Sequence, residues 1–254
     1  MKISVVTVSF NAAATIADTI ASVQAQDHAE LEHIVIDGAS TDGTQAIVDR
    51  MADHRTVFVS EPDRGLYDAM NKGIARASGD VIGILNADDF YAHASVLSHV
   101  AACFAEASPV DAVLGDLAFL AHDPAERRLG RRYRSRRFRP GRIAWGWMPA
   151  HPSMFVTRDA YSRVGPYRTD YRISADYEFV ARAFGRYGLS YRHLEEILVL
   201  MRPGGISTRG VRSKWIINVE SVRACRDNGI RSNLLMIMTK YPLKILDRFV
   251  SVGT

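Results

Sequence analysis

The sequence predicts an α/β protein whose mainly parallel sheet carries helices on both faces. Two observations lead to this prediction. Short apolar segments rich in β-branched residues alternate with segments of helical periodicity through the first 117 residues, and such repetition is typical of βαβ units. Polar residues follow successive predicted strands at the same end. The carboxyl edge of an open parallel sheet is where ligands bind, so this edge is the expected site.

The first half of the chain supplies most of the sheet. Residues 3–10 are rich in β-branched side chains and predict a buried strand. Further strands are predicted at residues 33–37, 57–59, 81–85 and 112–114. Apolar residues at helical spacing predict intervening helices around residues 16–23, 44–51, 66–74 and 97–104.

The second half is less regular. Arginine, proline, glycine and tryptophan break the pattern from residue 118 to 148, which predicts an irregular, partly mobile insertion. Helices are expected at residues 159–164, 176–187 and around 215–222, with a strand at 197–200. Pro242 is expected to kink an apolar, lysine-containing tail that begins at Asn233. We therefore divide the chain into a main domain, 1–210, with halves 1–117 and 118–210, and a helical tail, 211–254.

Composition limits the class of protein. The chain has 254 residues, of which 47% are hydrophobic, so a sizeable core is expected and global disorder is not. It has no stretch of about 18 apolar residues, so no membrane span is expected. A strand pattern begins at once, so no secretory signal is expected. Cys103 and Cys225 match no metal-binding spacing, which favours free thiols in the reducing cytoplasm.

Acidic and polar residues at the strand ends are the strongest candidates for a site. Asn86, Asp88 and Asp89 directly follow the apolar strand 81–85. Adjacent carboxylates repel each other unless a cation or polar ligand lies between them, and they suit a divalent metal that carries phosphates. The alternative is that Asp88 or Asp89 caps the next helix.

Two earlier strand ends add to this site. Asp37 occupies the last position of the second strand, where a carboxylate can accept hydrogen bonds from a base or a ribose. Arg64, after the third strand, could counter a phosphate or stack on a base, or could be a solvated loop arginine. Polar groups at these three strand ends favour one nucleotide site.

Several common motifs are missing from the sequence. The patterns GxGxxG, GxxxxGK[ST], HExxH and GxSxG do not occur. Phosphate charge is therefore expected to be balanced by a metal and by arginine.

Six motifs together carry a family resemblance. They are the strand 4–11, the turn 37–44, the segment 61–73, the Asn86–Asp89 strand end, and the pair His151–Phe155 and Ile173–Glu178. In this order they resemble family-2 glycosyltransferases of the GT-A fold, in particular a subgroup from bacterial surface-polysaccharide (colanic-acid-type) assembly. The resemblance covers roughly residues 1–210, so we expect a GT-A, Rossmann-like domain followed by a C-terminal helical extension.

The resemblance implies roles for individual residues. Asp37 would contact the nucleotide base near Thr7 and Ser9, and Asp88 the ribose or donor sugar. Asp89 would hold Mg²⁺ or Mn²⁺ on the diphosphate, although Asn86 stands where many relatives have the first aspartate of a DxD motif. The half 1–117 would bind the nucleotide sugar and the half 118–210 the acceptor.

The acceptor half contains the candidates for catalysis. Asp176 would be the general base, with an N-cap as its alternative role and Glu178 as a rival base. His151 could orient the acceptor or the diphosphate, or could be structural. Gly204–Ser207 could close over the donor or form an ordinary turn. A carboxylate base can take the proton of the attacking sugar hydroxyl, and a metal can neutralise the charge of the leaving diphosphate. In-line attack then inverts the anomeric centre.

The expected function is therefore an inverting, metal-dependent transfer of sugar from a nucleotide-diphospho-sugar donor to a saccharide acceptor that is lipid-linked. One alternative is a nucleotidyltransferase of similar architecture, although residues 9–14 lack its usual Gly-rich basic loop. Another is an inactive relative that binds a nucleotide or a nucleic acid.

Nine arginines between residues 127 and 142 concentrate the basic charge of the chain. The net charge is +4, and subtracting these nine charges leaves −5 for the remainder. The segment could be a solvated face, or could bind nucleic acid, a lipid-diphosphate acceptor or an anionic membrane. No nucleic-acid-binding motif in the sequence supports the nucleic-acid alternative. The apolar, basic tail suits an interfacial helix, a helix packed on the domain or a dimer contact. We expect a peripheral enzyme on the inner face of the membrane, which could form a homo-oligomer.

Overall fold

One mixed sheet forms the centre of the protein in a computed structural model, which describes residues 1–120, 129–202 and 210–241. Within these ranges the strands are β1 Ile3–Ser9, β2 Leu31–Asp37, β3 Thr56–Ser60, β4 Val81–Ile84, β5 Asp89–Tyr91, β6 Ala112–Leu120, β7 Leu129–Tyr133, β8 Met154–Thr157 and β9 Tyr191–Met201. The helices are α1 Ile16–Gln24, α2 Thr44–Met51, α3 Leu66–Arg76, α4 Val96–Phe104, α5 Arg158–Val164, α6 Ala175–Val180, α7 Gly210–Asp227 and α8 Leu234–Met238. The predicted α/β class and its first-half elements are confirmed.

The strand order is β3-β2-β1-β4-β8-β6-β9-β5, and β7 pairs with the free part of β6. The first four strands of this order are parallel, as the βαβ pattern predicts. β8 is antiparallel to both of its neighbours, β4 and β6. β5 is antiparallel to β9, and β7 is antiparallel to β6. The sheet is therefore mixed, since three short strands that the sequence analysis did not predict join it in the opposite direction.

Packing fixes where β8 and β1 lie. Gly83 on β4 leaves room for the ring of Phe155 on β8, because a Cβ at Gly83 would lie 2.5 Å from that ring. β1 is buried along its whole length between β2 and β4. Close packing on both faces gives the strand ends of β1, β2 and β4 fixed positions, and these ends carry the candidate residues.

The described chain forms two compact units. Unit 1 contains residues 1–120, 129–136, 149–169 and 189–202, and unit 2 contains residues 137–148, 170–188 and 210–241. Unit 1 holds the sheet, and unit 2 holds α6, α7 and α8. The predicted boundaries at residues 117 and 210 stay predictions.

The arginine segment is more ordered than the predicted irregular insertion. Residues 129–133 form β7, and 3₁₀ turns follow at Ser135–Arg137 and Pro140–Trp145. Arg132 pairs at 2.7 Å with Asp116, whose carboxylate is buried on β6 and also accepts the Ser135 N–H. Arg127 and Arg128 lie outside the described residues, as does the tail beyond residue 241. No helix in the described ranges has both the length and the apolar composition to cross a membrane.

Candidate active site

Asp37 lies at the end of β2 beside Ser9 at the end of β1. Its buried carboxylate accepts hydrogen bonds from the hydroxyls of Ser9 (2.9 Å), Ser40 (2.5 Å) and Ser60 (2.8 Å), and from the Ser40 N–H (2.8 Å). These four donors fill the acceptor positions of the carboxylate. A base N–H could be accepted only where a serine hydroxyl, which rotates freely, turns away. The base-binding roles of Asp37 and Ser9 stay predictions on this geometry.

Thr7 is buried on β1, and its hydroxyl lies 2.9 Å from Nε2 of His33 on β2. Burial lowers the pKa of His33 to about 4, because the charged imidazolium loses its hydration there. His33 is therefore neutral at pH 7, and the pair links β1 and β2 below the predicted base site. Thr7 points into a buried contact, so its nucleotide-binding role stays a prediction.

This buried histidine predicts an acid-sensitive fold. The pKa of His33 is lowered from 6.5 to about 4 on folding, so the unfolded chain binds the proton more readily. Stability is then fully present above pH 6.5 and falls as the pH is lowered towards 4, by at most about 3 kcal/mol. Urea unfolding between pH 7 and 4.5 measures this slope. His33→Gln should flatten it, while the exposed His54→Gln should keep it; an equal slope in wild type and His33→Gln would contradict the assignment.

Asp88 and Asp89 lie together after β4, as predicted. Asp89 is fully buried at the start of β5, whereas Asp88 is half-buried. Burial raises the pKa of Asp89 well above its ordinary value, and the charge of Asp88 raises it further. Such a carboxylate is costly to keep ionised without a nearby cation.

The oxygen atoms around Asp89 suit a divalent metal. Asp89 Oδ2 accepts a long 3.3 Å hydrogen bond from the Asn86 amide. Asp89 Oδ1 and Asn86 Oδ1 are both buried and have no hydrogen-bond partner among the described residues. Carboxylate and amide oxygens are ligands of Mg²⁺ and Mn²⁺, so Asn86 offers an oxygen where a first aspartate would stand in a DxD motif.

Arg202 is a residue of this site that the sequence analysis did not single out. Its guanidinium donates to the Asp88 carbonyl at 2.9 Å, pairs with the Asp18 carboxylate, and lies 5.1 Å above the Phe90 ring. Its charge also lowers the pKa of Asp89 in part. It follows β9, which pairs with β5, and no sequence pattern marks that pairing. Gly204–Ser207, the predicted donor loop, lies outside the described residues.

Arg64 lies in the loop before α3 with an exposed guanidinium. It pairs with Asp68 at 2.8 Å, and Asp68 lies 3.7 Å from Lys72. An exposed pair of this kind adds little stability. The guanidinium therefore stays accessible, and its predicted phosphate contact stays a prediction.

His151 begins a 3₁₀ turn before β8 and is buried. Its Nε2 lies 2.8 Å from the Tyr167 hydroxyl, and the two rings meet edge to face. Tyr167 is held in turn by Asn71, which exchanges two 2.8 Å hydrogen bonds with its backbone. This setting favours the structural alternative for His151, while its acceptor contact stays a prediction.

Asp176 and Glu178 both lie in the first turn of α6, in unit 2. Glu178 is buried and paired by Arg182 at 3.0 and 3.1 Å, and Asn228 also donates to it at 3.2 Å. Asp176 is half-buried at this turn. Glu178 has its acceptor positions occupied by cationic and amide donors, so Asp176 is the better candidate for a general base.

Glu220 on α7 holds the segment that leads into α6. Its carboxylate accepts the backbone N–H groups of Arg172 (2.6 Å), Ile173 (3.0 Å) and Ser174 (2.9 Å). Ser174 is the N-cap of α6, two residues before Asp176. Glu220 therefore positions Asp176 from another helix, and only the tertiary fold reveals this contact.

We expect Glu220→Gln to lower turnover about 10- to 100-fold with little change in the donor KM, because one amide oxygen cannot accept all three N–H groups and small displacements of a reacting group are costly. Lys214→Gln, an exposed change on the same helix, is the matched control. Steady-state kinetics with saturating donor separates kcat from KM. If turnover is unchanged while thermal stability falls, Glu220 has only a structural role.

The fold and the acidic strand-end site define a glycosyltransferase of the GT-A type. The chain belongs to glycosyl transferase family 2, whose model matches residues 4–165. It is 30% identical, over 99% of its length and 94% of the relative's, to a "PGL/p-HBAD biosynthesis glycosyltransferase" of Mycobacterium bovis. The resemblance predicted from the motifs is thereby confirmed, and the nucleotidyltransferase alternative is set aside.

Two solved structures share the fold at lower identity. Staphylococcus aureus TarS 1–349 in complex with UDP-GlcNAc matches 87% of this chain and 67% of its own, with a TM-score of 0.69 and 18% identity. Glucosyl-3-phosphoglycerate synthase from Mycobacterium tuberculosis, in complex with Mn²⁺, UDP and glucosyl-3-phosphoglycerate, matches 91% and 81%, with a TM-score of 0.62 and 18% identity. In another TarS structure this chain spans 40% of the protein. At these identities the likeness establishes the GT-A fold alone.

Proposed function

We propose that this family-2 glycosyltransferase is metal-dependent and inverting, and that it transfers sugar from a nucleotide-diphospho-sugar to a lipid-linked saccharide. The observation that carries the proposal is the pair of buried oxygens on Asp89 and Asn86, beside Asp88, that have no hydrogen-bond partner among the residues the structure describes. The complexes of structural neighbours with UDP-GlcNAc, or with UDP and Mn²⁺, support the donor class and the metal.

The residues divide the chemistry between them. Asp89 and Asn86 would hold Mg²⁺ or Mn²⁺, which when bound supplies positive charge to the leaving diphosphate. Asp88 would position the ribose or donor sugar, and Asp37 the base. Asp176 would take the proton from the acceptor hydroxyl as its oxygen attacks the anomeric carbon and the bond to the diphosphate breaks. One in-line displacement of this kind inverts the anomeric centre.

A donor screen tests the proposal. The protein is incubated with UDP-, GDP- and dTDP-sugars, with and without Mn²⁺ or Mg²⁺, and with either a lipid-linked saccharide or its soluble glycan as acceptor. Mass spectrometry of the product should show transfer from one donor class, dependence on metal, and preference for the lipid-linked acceptor. Full activity after chelation would overturn metal dependence, and equal use of the soluble glycan would overturn the lipid-linked acceptor.

The arginine segment supports peripheral binding to an anionic membrane, as part of this proposal. Arg132 has a structural role through buried Asp116, so the test must spare it. Other described arginines of the segment are exposed as well, and three of them are chosen for the test: Arg131, Arg134 and Arg136. Basic residues near an anionic surface each contribute about 1 kcal/mol, and salt weakens this contribution.

Changing these three arginines to serine should therefore weaken co-sedimentation with anionic vesicles by more than about tenfold at low salt. Nucleotide affinity should not change. A triple serine variant at exposed arginines elsewhere is the matched control: Arg50, Arg76 and Arg158. Equal vesicle binding by wild type and the first variant, or no dependence of wild-type binding on lipid charge, would favour the solvated-face alternative.

A further inference from the structure

Two histidines and a glutamate from three different elements of unit 1 converge outside the donor site. His93 follows β5, His99 lies on α4, and Glu196 lies on β9. Glu196 places one carboxylate oxygen 2.7 Å from His93 Nε2 and the other 2.9 Å from His99 Nδ1. All three candidate ligand atoms lie within 4.8 Å of one another.

The orientation of His93 is unlike that of an ordinary hydrogen-bonded histidine. Its Nε2 is inaccessible to solvent and makes no hydrogen bond within the described residues, although the Glu196 oxygen is close. The oxygen therefore lies off the axis along which this nitrogen donates or accepts. His93 Nε2 is therefore available to a metal ion, whereas His99 Nδ1 hydrogen-bonds to the two oxygens of Glu196 at 3.1 and 2.9 Å and would exchange that contact for a bond to the ion.

The second nitrogen of His93 adds a feature of metal-binding histidines. Its Nδ1 lies 3.0 Å from the Ser95 hydroxyl. Histidine ligands commonly engage their other ring nitrogen in this way, which fixes the tautomer and the plane of the ring. With Nδ1 donating to the Ser95 hydroxyl, Nε2 keeps the lone pair that a metal ion would use.

The donor set distinguishes this cluster from the Asp89 site. Two imidazole nitrogens and one carboxylate oxygen suit Zn²⁺ and its neighbours Co²⁺ and Ni²⁺, whereas oxygen-only ligands suit Mg²⁺ and Mn²⁺. The two sites are also apart. Asp89 pairs with Met201 on β9, and Glu196 lies five residues earlier on that strand, or roughly 16 Å along it.

We propose that His93, His99 and Glu196 form a transition-metal site of the zinc class, with water completing the coordination, that ties α4 and the end of β5 to β9. Since β5 begins at Asp89, the ion would brace the strand pair that carries the donor-site carboxylate. The proposal does not depend on the proposed donor or acceptor.

Metal titration tests the site. The protein is first stripped of metal with a chelator, and the chelator is then removed. Wild type should bind one Co²⁺ at this site with the intense visible absorption of a four-coordinate ion, which Co²⁺ at the oxygen ligands of Asp89 would not show, and Zn²⁺ should displace it. Zn²⁺ should also raise the thermal unfolding midpoint, because it binds the folded state preferentially. His99→Gln and Glu196→Gln, both at accessible positions, should weaken Co²⁺ binding at least about tenfold and remove the Zn²⁺-dependent stabilisation.

Two control variants separate this site from others. His54→Gln changes an exposed histidine elsewhere and should bind Co²⁺ as wild type does. Asp89→Asn should also keep the Co²⁺ signal, because its carboxylate belongs to the oxygen site. Loss of the signal in Asp89→Asn, its persistence in both His99→Gln and Glu196→Gln, or its absence from wild type at about 10 µM Co²⁺ would each overturn the proposal.

Discussion

Asp176→Asn is expected to bind donor and metal normally but to turn over at least about 100-fold more slowly. The amide keeps the size of the carboxylate and can still accept the Tyr177 N–H, as Asp176 does at 2.7 Å. It cannot take the proton of an attacking sugar hydroxyl. Single-turnover kinetics with a saturating acceptor measures the loss, and calorimetry of the nucleoside diphosphate shows that the donor site is intact.

Glu178→Gln is the informative comparison for this prediction. Its change removes the ion pair between the buried Glu178 carboxylate and Arg182, so thermal stability should fall. The fraction that stays folded should retain most of its turnover. Near-normal turnover in Asp176→Asn together with a folded, inactive Glu178→Gln would move the base role to Glu178.

The sequence predicted the parallel part of the sheet and the residues at its carboxyl edge. Asp37 and Asp89 could be identified because each lies at or just after the end of an apolar strand, β2 and β4 respectively. Two of the three antiparallel strands that were missed, β5 and β8, were missed for a physical reason. β5 has only three residues and β8 four, too few for periodicity to separate a strand from a loop.

Contacts between distant segments could not be predicted from one sequence. Glu220 accepts backbone N–H groups before α6 that lie 46 to 48 residues earlier in the chain. Because the donors are backbone groups, no particular residue type in the sequence indicates this contact. Arg132 looked like one of nine similar arginines, yet buried Asp116 gives it a structural role. Charge patterning shows that a segment is basic, but only the fold shows which of its charges are already paired.

The largest effect on metal binding is expected from Asp89→Asn. The negative charge of the Asp89 carboxylate is unfavourable in the folded protein. Burial, and then the charge of Asp88, raise the pKa of Asp89 well above its ordinary value. Because the folded-state pKa exceeds the unfolded one, Asp89 destabilises the metal-free protein at pH 7 and ceases to do so as the pH falls below the unfolded value. The amide removes this cost, so the metal-free variant should unfold at a higher temperature than wild type.

The same substitution should remove the function that this charge serves. Asparagine offers one neutral oxygen to Mg²⁺ or Mn²⁺, so the Mn²⁺-dependent part of nucleoside diphosphate affinity should disappear, together with the rise in unfolding temperature that metal and nucleotide produce in wild type. Calorimetry and thermal melts with and without Mn²⁺ measure both effects. Asp159→Asn, an exposed aspartate on α5, should match wild type in each. Wild-type Mn²⁺-dependent affinity in Asp89→Asn would refute the metal assignment, and a lower metal-free unfolding temperature would show that the carboxylate stabilises the fold instead of serving the ion.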